Sequence, residues 1–279
     1  MRAENHTPVR EPLDAASLRR AAVRPGALWR EIEVVESTGS TNADLLARAL
    51  RGEPEGAVLA AEEQRAGRGR MGRAWTAPPR AALTFSVLLR PAVPPARRGW
   101  LPLLTGVAVA TAVTGVTGVE TRLKWPNDLL AADAKVAGIL AEASGDAVVV
   151  GIGLNVSTES AELSHLLAAP RPGALPATSL RAAGATTLDR EELLLAILEG
   201  FERWYRAWQQ AGGDPDRSGL REEYVRWSAT IGRTVRAELP GGQVLSGPAV
   251  GVDSDGRLLV RVSSGREVAV AAGDVVHVR

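Results

Sequence analysis

The sequence predicts an α+β protein in two unequal parts: a larger unit in which strands alternate with helices, and a small all-β unit at the C-terminal end. Three observations lead there. Between residues 28 and 229, short β-rich runs alternate with amphipathic or apolar helical stretches. After about Ile231 helical periodicity ends, and short strand patterns are separated by the turn sequences PGGQ, DSDG and SSGR. Apolar residues make up 45% of the 279, enough for a sizeable core. The expected division is a flexible tail over 1–27, a main domain over 28–229 and a barrel of SH3 size over 230–279.

Each element has a local reason. Residues 1–27 are polar, Pro-punctuated and Arg/Ala-rich, so DAASLRRAAV reads as at most a short helix in a mobile tail. WREIEVVE is a strand. STGSTN is a turn ending in an N-cap, followed by the helix ADLLARALRG with Gly52 as its C-cap. AVLAAEEQ and LTFSVLLRP are strands, the second closed by Pro91, and the Gly/Arg loop RAGRGRMGRAW joins them. WLPLLTGVAVATAVTGV is a buried helix. ETRLKW, VAGILAEAS and AVVVGIGLNV are strands, the last apolar enough for a sheet centre. Residues 157–187 are a long irregular connection with one short helix near AELSHLLA. LDREELLLAILEGFERWYRAWQQAGG is a long amphipathic helix. Asp189 caps it, Glu192 sits at the capping-box position, and Gly212-Gly213 stop it. LREEYVRWS is a further short helix. TVRAEL, GQVLSGPAVGVD, RLLVRV and EVAVAAGDVVHVR are the strands of the small unit.

Composition narrows function. A net charge of +1 gives no global field for nucleic acid or anionic membrane, so any anion site is local. The absence of cysteine excludes disulfides, thiolate metal sites and a cysteine nucleophile. His6, His165 and His277 are too scattered to suggest a histidine metal site or triad. The N-terminus has no apolar secretory core, and no run approaches the roughly 20 apolar residues of a membrane span. A cytoplasmic protein is expected.

Four segments carry chemistry. Of 33 basic residues only Lys124 and Lys135 are lysines, and both lie in KWPNDLLAADAK. In an Arg-biased chain they mark places where a compact ammonium does what a planar guanidinium cannot, with chance as the competing reading. Between them Pro126 fixes a turn, and Asn127 and Asp128 offer oxygens of the kind that meet Mg²⁺ or ribose. The second segment runs from Gln64 through Gly67, Arg68, Gly69, Arg70, Met71, Gly72 and Arg73 to Trp75. Its glycines let backbone N–H groups approach an anion, and its arginines bring forked donors to phosphate or carboxylate. Such a loop repels itself, so it is expected to be disordered when empty and folded over a bound anion; a solvated basic loop is the bland reading. Third, Ser40-Thr41-Asn42 either caps a helix or presents hydroxyls to a small polar ring. Fourth, the glycines of GIGLN, Gly151 and Gly153, allow a ligand to lie against a strand, and Asn155 can meet an adenine edge.

Taken in order, STN, EEQRAGRGRMGRAW, LKWPNDLLAADAKVAGILAE and VVVGIGLNV resemble the biotin–protein ligases, from about residue 34 through the C-terminal unit. That resemblance implies a mixed β-sheet with helices, similar to class II aminoacyl-tRNA synthetases, followed by an SH3-like β-barrel. It implies adenylation of biotin by ATP with Mg²⁺, then transfer to a lysine of the biotin carboxyl carrier domain of acyl-CoA carboxylases. It places Ser40, Thr41, Asn42 and Gln64 at the ureido ring. Gly67, Arg68, Gly69, Arg70, Trp75, Lys135, Gly138 and Leu140 complete the biotin site. ATP falls to Arg70, Arg73, Lys124, Asn127, Asp128, Gly153 and Asn155, with Asp128 the candidate metal ligand and Lys135, Arg68 and Arg70 the catalytic cations. Met71 stands where some relatives carry another Arg. The N-terminal segment is too short for the DNA-binding module of bifunctional members, so neither DNA nor membrane is expected as a partner. The rivals are a lipoate–protein ligase and a nucleic-acid-binding regulator using the Arg/Gly loop.

Overall fold

A computed structural model describes residues 10–166, 175–239, 244–271 and 273–278. The chain opens with α1 (Ala15–Ala22), β1 (Glu31–Val35), α2 (Thr41–Leu50), β2 (Ala57–Ala61) and β3 (Ala82–Leu89). It continues through α3 (Leu101–Thr117), β4 (Thr121–Lys124), β5 (Asp128–Ala131), β6 (Ala134–Ser144) and β7 (Ala147–Asn155). Then follow α4 (Ser160–Leu166), α5 (Arg190–Gln210) and α6 (Leu220–Trp227). The last strands are β8 (Thr234–Glu238), β9 (Val244–Val252), β10 (Leu258–Arg261), β11 (Glu267–Val270) and β12 (Asp274–His277).

β1 to β7 form one mixed seven-stranded sheet in the order β1-β2-β3-β7-β6-β5-β4. Only β1 and β2 run parallel; the other neighbours are antiparallel. The two-residue period of a strand divides β7 cleanly. Val148, Val150, Ile152 and Leu154 enter the main core. Val149 packs under α2 with Leu45, Leu59 and Leu88, and Gly151 and Gly153 continue that second face. α3 covers the core face and α5 packs behind it. Trp29 and Phe201 pack at 5.6 Å between ring centroids in that layer. The small unit is a five-stranded antiparallel sheet, order β11-β10-β9-β8-β12, whose apolar residues alternate inward as the pattern in TVRAE requires.

Two tryptophans seat the small sheet on the large one. Trp100 Nε1 donates to Asp253 O and Trp125 Nε1 to Gly256 O, each at 3.1 Å. Trp125 precedes a cis peptide bond to Pro126, and its backbone N–H donates to Thr230 Oγ1.

The structure corrects several expectations. Residues 10–27 are not a mobile tail. Asp14 caps α1, Leu18 is fully buried, and Leu13 N–H donates to the buried Glu62 carboxylate at 2.6 Å. Glu62 in turn pairs with buried Arg190 at 2.6 Å, and Arg190 also donates to Glu11 O. Leu18 and Ala22, one helical turn apart, were the signal beneath the Arg/Pro bias. Residues 1–9 lie outside the described residues, as do 167–174, the end of the irregular connection's first half. Ser40, not Asn42, is the N-cap of α2, so Thr41 and Asn42 lie in its first turn and are buried. DLLA after the KWPN turn is a strand, β5. EVAVAAGDVVHV is two strands rather than one. Pro95–Thr117 is apolar and long enough to suit a bilayer, contrary to expectation, but it is the buried centre of the fold.

Candidate active site

The cavity lies on the sheet face opposite α3, where the N-terminal end of α2 meets β3, β7 and β6. Its floor is built of small residues. Gly138 and Gly153 are cross-strand partners, and Thr84 and Gly153 are partners on the other side. The indole of Trp75 lies on this bare patch. A Cβ on Gly153 would stand 2.3 Å from the ring, so only glycine admits it. One strand step away, a Cβ on Gly151 would stand 2.2 Å from Asn42 Oδ1.

The polar wall comes from α2. Thr41 donates its N–H and its hydroxyl to Gln64 Oε1 at 2.8 and 3.0 Å. The Thr41 and Ser86 hydroxyls lie 2.7 Å apart, and Ser86 Oγ donates to Asn42 Oδ1 at 2.6 Å. Asn42 Nδ2 donates to Glu142 at 2.8 Å and to Leu140 O at 3.2 Å.

The cationic rim comes from the Gly/Arg segment and from Lys135. Residues 65–75 form a hairpin. Gly69 N–H donates to Arg73 O and Trp75 N–H to Gly67 O, at 2.7 and 2.9 Å. Met71 is exposed at its tip with φ 57°. Arg70 reaches across to the other motif and donates to Asn127 Oδ1 at 3.2 Å, while Asn127 Nδ2 donates to Ile139 O at 2.9 Å. Arg68 lies 3.7 Å from Glu142. Lys135 Nζ lies 2.6 Å from Asp128 Oδ1, which holds the ammonium at the cavity wall. The backbone of Lys135 pairs with Pro176 and Thr178, so the irregular connection is fastened to the start of β6 beside it.

The cavity thus brings together Ser40, Thr41, Asn42, Gln64, Arg68, Gly69, Arg70, Arg73, Trp75, Asn127, Lys135, Gly138, Leu140 and Gly153. It leaves four candidates outside its lining. Gly67 closes the base of the hairpin, where a Cβ would meet Trp75 O at 2.4 Å. Asp128 stands behind Lys135. Asn155 donates to Thr178 O at 2.9 Å and so anchors that connection to the end of β7. Lys124 faces the second sheet, close enough to His277 to disfavour its protonation. Among the described residues no three His, Cys, Asp or Glu side chains converge as a metal site, and Asp128 is occupied by Lys135. Thr84, Ser86, Gly151 as the seat of Asn42, and Glu142 were not among the residues expected from the sequence. A polar residue inside an otherwise apolar strand, as in LTFSVLL and VAGILAEA, was the available signal.

Chemically this is a site for a small molecule with an uncharged polar head and an anionic end. The hydroxyls and amides suit the head. Arg68, Arg70, Arg73 and Lys135 suit carboxylate and phosphate. Comparison with known proteins agrees. Residues 32–158 match the Biotin/lipoate A/B protein ligase family, and residues 230–278 match the Biotin protein ligase C terminal domain. The chain belongs to the biotin–protein ligases of that family. It is 45% identical over 276 residues to the biotin–[acetyl-CoA-carboxylase] ligase of Mycobacterium tuberculosis, covering 97% of this chain and 98% of that one. It is 34% identical to the bifunctional ligase/repressor BirA of Bacillus subtilis, over 84% of this chain and 69% of that protein's length. Its fold is similar to the biotin protein ligase from Aquifex aeolicus in complex with biotin and ATP, with a TM-score of 0.72, 26% identity and coverage of 90% and 100%.

Proposed function

We propose that the chain is an ATP-dependent biotin–[acetyl-CoA-carboxylase] ligase. It joins biotin to AMP and passes the biotinyl group to a lysine of a biotin carboxyl carrier domain of acyl-CoA carboxylases. One observation carries the reading: the Gly/Arg hairpin and the KWPND…K segment, far apart in sequence, meet over one cavity through Arg70 and Asn127. That contact turns Arg70 toward the cavity, which Arg68 and Arg73 also line, and so favours a small anionic ligand over nucleic acid. The matched C-terminal domain favours biotin over lipoate.

In the first step the biotin carboxylate attacks the α-phosphorus of MgATP in line, the bond to pyrophosphate breaks, and biotinyl-5′-AMP forms. Both reactants are anions, so the protein's task is charge neutralisation and alignment. Lys135, steadied by Asp128, stands as a compact cation between carboxylate and α-phosphate. Arg68, Arg70 and Arg73 hold phosphate oxygens from the hairpin. Thr41, Asn42 and Gln64 hold the ureido head, and Trp75 covers the reacting end from water. Mg²⁺ arrives with the nucleotide and neutralises its outer phosphates. In the second step the neutral amine of the carrier lysine attacks the acyl carbon and AMP leaves. We divide the chain into a catalytic unit over 28–229 and a C-terminal unit over 230–279, and place the reaction in the cytoplasm, where ATP and carboxylases meet. The test is ATP–pyrophosphate exchange by the purified protein with MgATP. Exchange should require biotin and should not appear with lipoate; exchange without biotin, or none at all, overturns the reading.

A further inference from the structure

Glu142 lies on β6, one strand step beyond Leu140 on the cavity face, and does not line the cavity. Its two oxygens have different partners: one accepts from Asn42 Nδ2 at 2.8 Å, the other lies 3.7 Å from Arg68. We infer that Glu142 is a positioning residue that sets the hydrogen-bond polarity of the wall meeting biotin's ureido head, an inference that rests on the functional reading above.

The argument is a count of protons. A carboxylate only accepts, and so does the Leu140 carbonyl, so both must face the NH₂ of Asn42. Asn42 therefore presents Oδ1 to Ser86. Ser86 has one hydroxyl proton, and it goes to Asn42. Ser86 then has none for Thr41, so in their 2.7 Å contact Thr41 is the donor or the proton turns to Gln64. In either case Gln64 Oε1 is taken by Thr41 N–H, and Gln64 shows its NH₂ to the cavity. The ureido oxygen needs donors, and that is what this end then offers. Asn42, Ser86 and Thr41 are held in one polarity by the Glu142 carboxylate together with the Leu140 carbonyl, and the Thr41 N–H orients Gln64 at the other end. Gly151 permits the arrangement, because any side chain there would displace Asn42.

The head is remote from the reacting carboxylate, so its interactions are equally strong in ground and transition states. Losing them raises KM for biotin and leaves kcat nearly unchanged. The experiment measures biotin-dependent ATP–pyrophosphate exchange and thermal melting for the parent, Glu142→Leu and Glu142→Gln. Glu142→Leu should raise KM for biotin on the order of tenfold, the usual effect of losing a charge-assisted hydrogen bond. Glu142→Gln keeps an acceptor for Asn42 and should recover most of that loss. A KM within about threefold of the parent in Glu142→Leu overturns the inference. So does a loss in kcat that merely follows the fraction of folded protein, or an equal KM defect in both variants. A parent that shows no exchange overturns the functional reading, and the inference with it.

Discussion

The two faces of the seven-stranded sheet are made from the same strands and differ in one respect, the parity of the residues. On β7, Val148, Val150, Ile152 and Leu154 point into the core under α3, while Val149, Gly151 and Gly153 point the other way. On β3, Leu83, Phe85, Val87 and Leu89 join the core, while Thr84 lines the cavity and Ser86 backs its polar wall through Asn42. The core face is close-packed and unspecific in its chemistry. The other face is thinned to glycine where Trp75 and Asn42 must lie, and filled by Leu88 and Val149 only where α2 covers it. Stability and chemistry are therefore separable by moving a mutation a single residue along a strand.

The largest effect should come from the core face. Leu83 is fully buried on that face and does not line the cavity, and Leu83→Ala should cost about 2–5 kcal/mol in equilibrium urea unfolding. Its kinetic constants, measured on the folded fraction, should stay close to the parent's. A loss below about 1 kcal/mol would mean that this face is not the continuous core described here. Lys135→Arg, on the cavity face, should do the reverse. Melting should stay near the parent, while adenylation falls on the order of 10²-fold, because a forked planar cation cannot take the ammonium's place between Asp128 and the reactants. Pyrophosphate release within about threefold of the parent would remove Lys135 from the centre of the mechanism. Gly153→Ala is the direct test of the bare floor. The added methyl displaces the Trp75 indole, which sits on a hairpin able to yield, so KM for biotin should rise about tenfold with little change in melting. A large loss of stability instead would show that Trp75 is core rather than cover.

How much of this was legible in the sequence follows the same division. Period-two patterns and motif spacing are local, so the strands of the sheet, the buried α3, the capped α5 and the residues of GRGRMGRAW and KWPND could be read directly. What a strand terminus faces is not local. Lys124 and Lys135 stand out equally in the sequence, yet Lys135 lines the cavity while Lys124, at the end of the edge strand β4, acts on His277 of the second sheet. Asn155, read from the sequence as a nucleotide contact, also donates to Thr178 O, a partner that depends on a connection without periodicity. The N-terminal segment was misread because composition outweighed two residues, Leu18 and Ala22, at helical spacing. Ser86 and Glu142 were legible and overlooked: each is a lone polar residue in a strand that is otherwise apolar or small.

The smallest expected effect belongs where neither face extends, at the junction of the two sheets. His277, on β12, lies half-buried with Nε2 3.0 Å from Thr230 Oγ1. Thr230 already accepts the backbone N–H of Trp125, so its one proton is free to point at a neutral imidazole. Burial, and then the neighbouring Lys124 and Arg233, push the His277 pKa down from 6.5 to about 4, with Asp133 acting weakly the other way. The folded state thus binds fewer protons than the unfolded state between those values. The stabilisation is fully present above pH 6.5 and is lost progressively as pH falls towards 4. Melting temperature should therefore drop more between pH 7.5 and pH 5 for the parent than for His277→Gln, which cannot titrate. Parallel curves for the two proteins would place the acid sensitivity elsewhere. Because Trp125 leads directly into Asn127 at the cavity, exchange activity should weaken over the same pH window in the parent before either face of the large sheet unfolds.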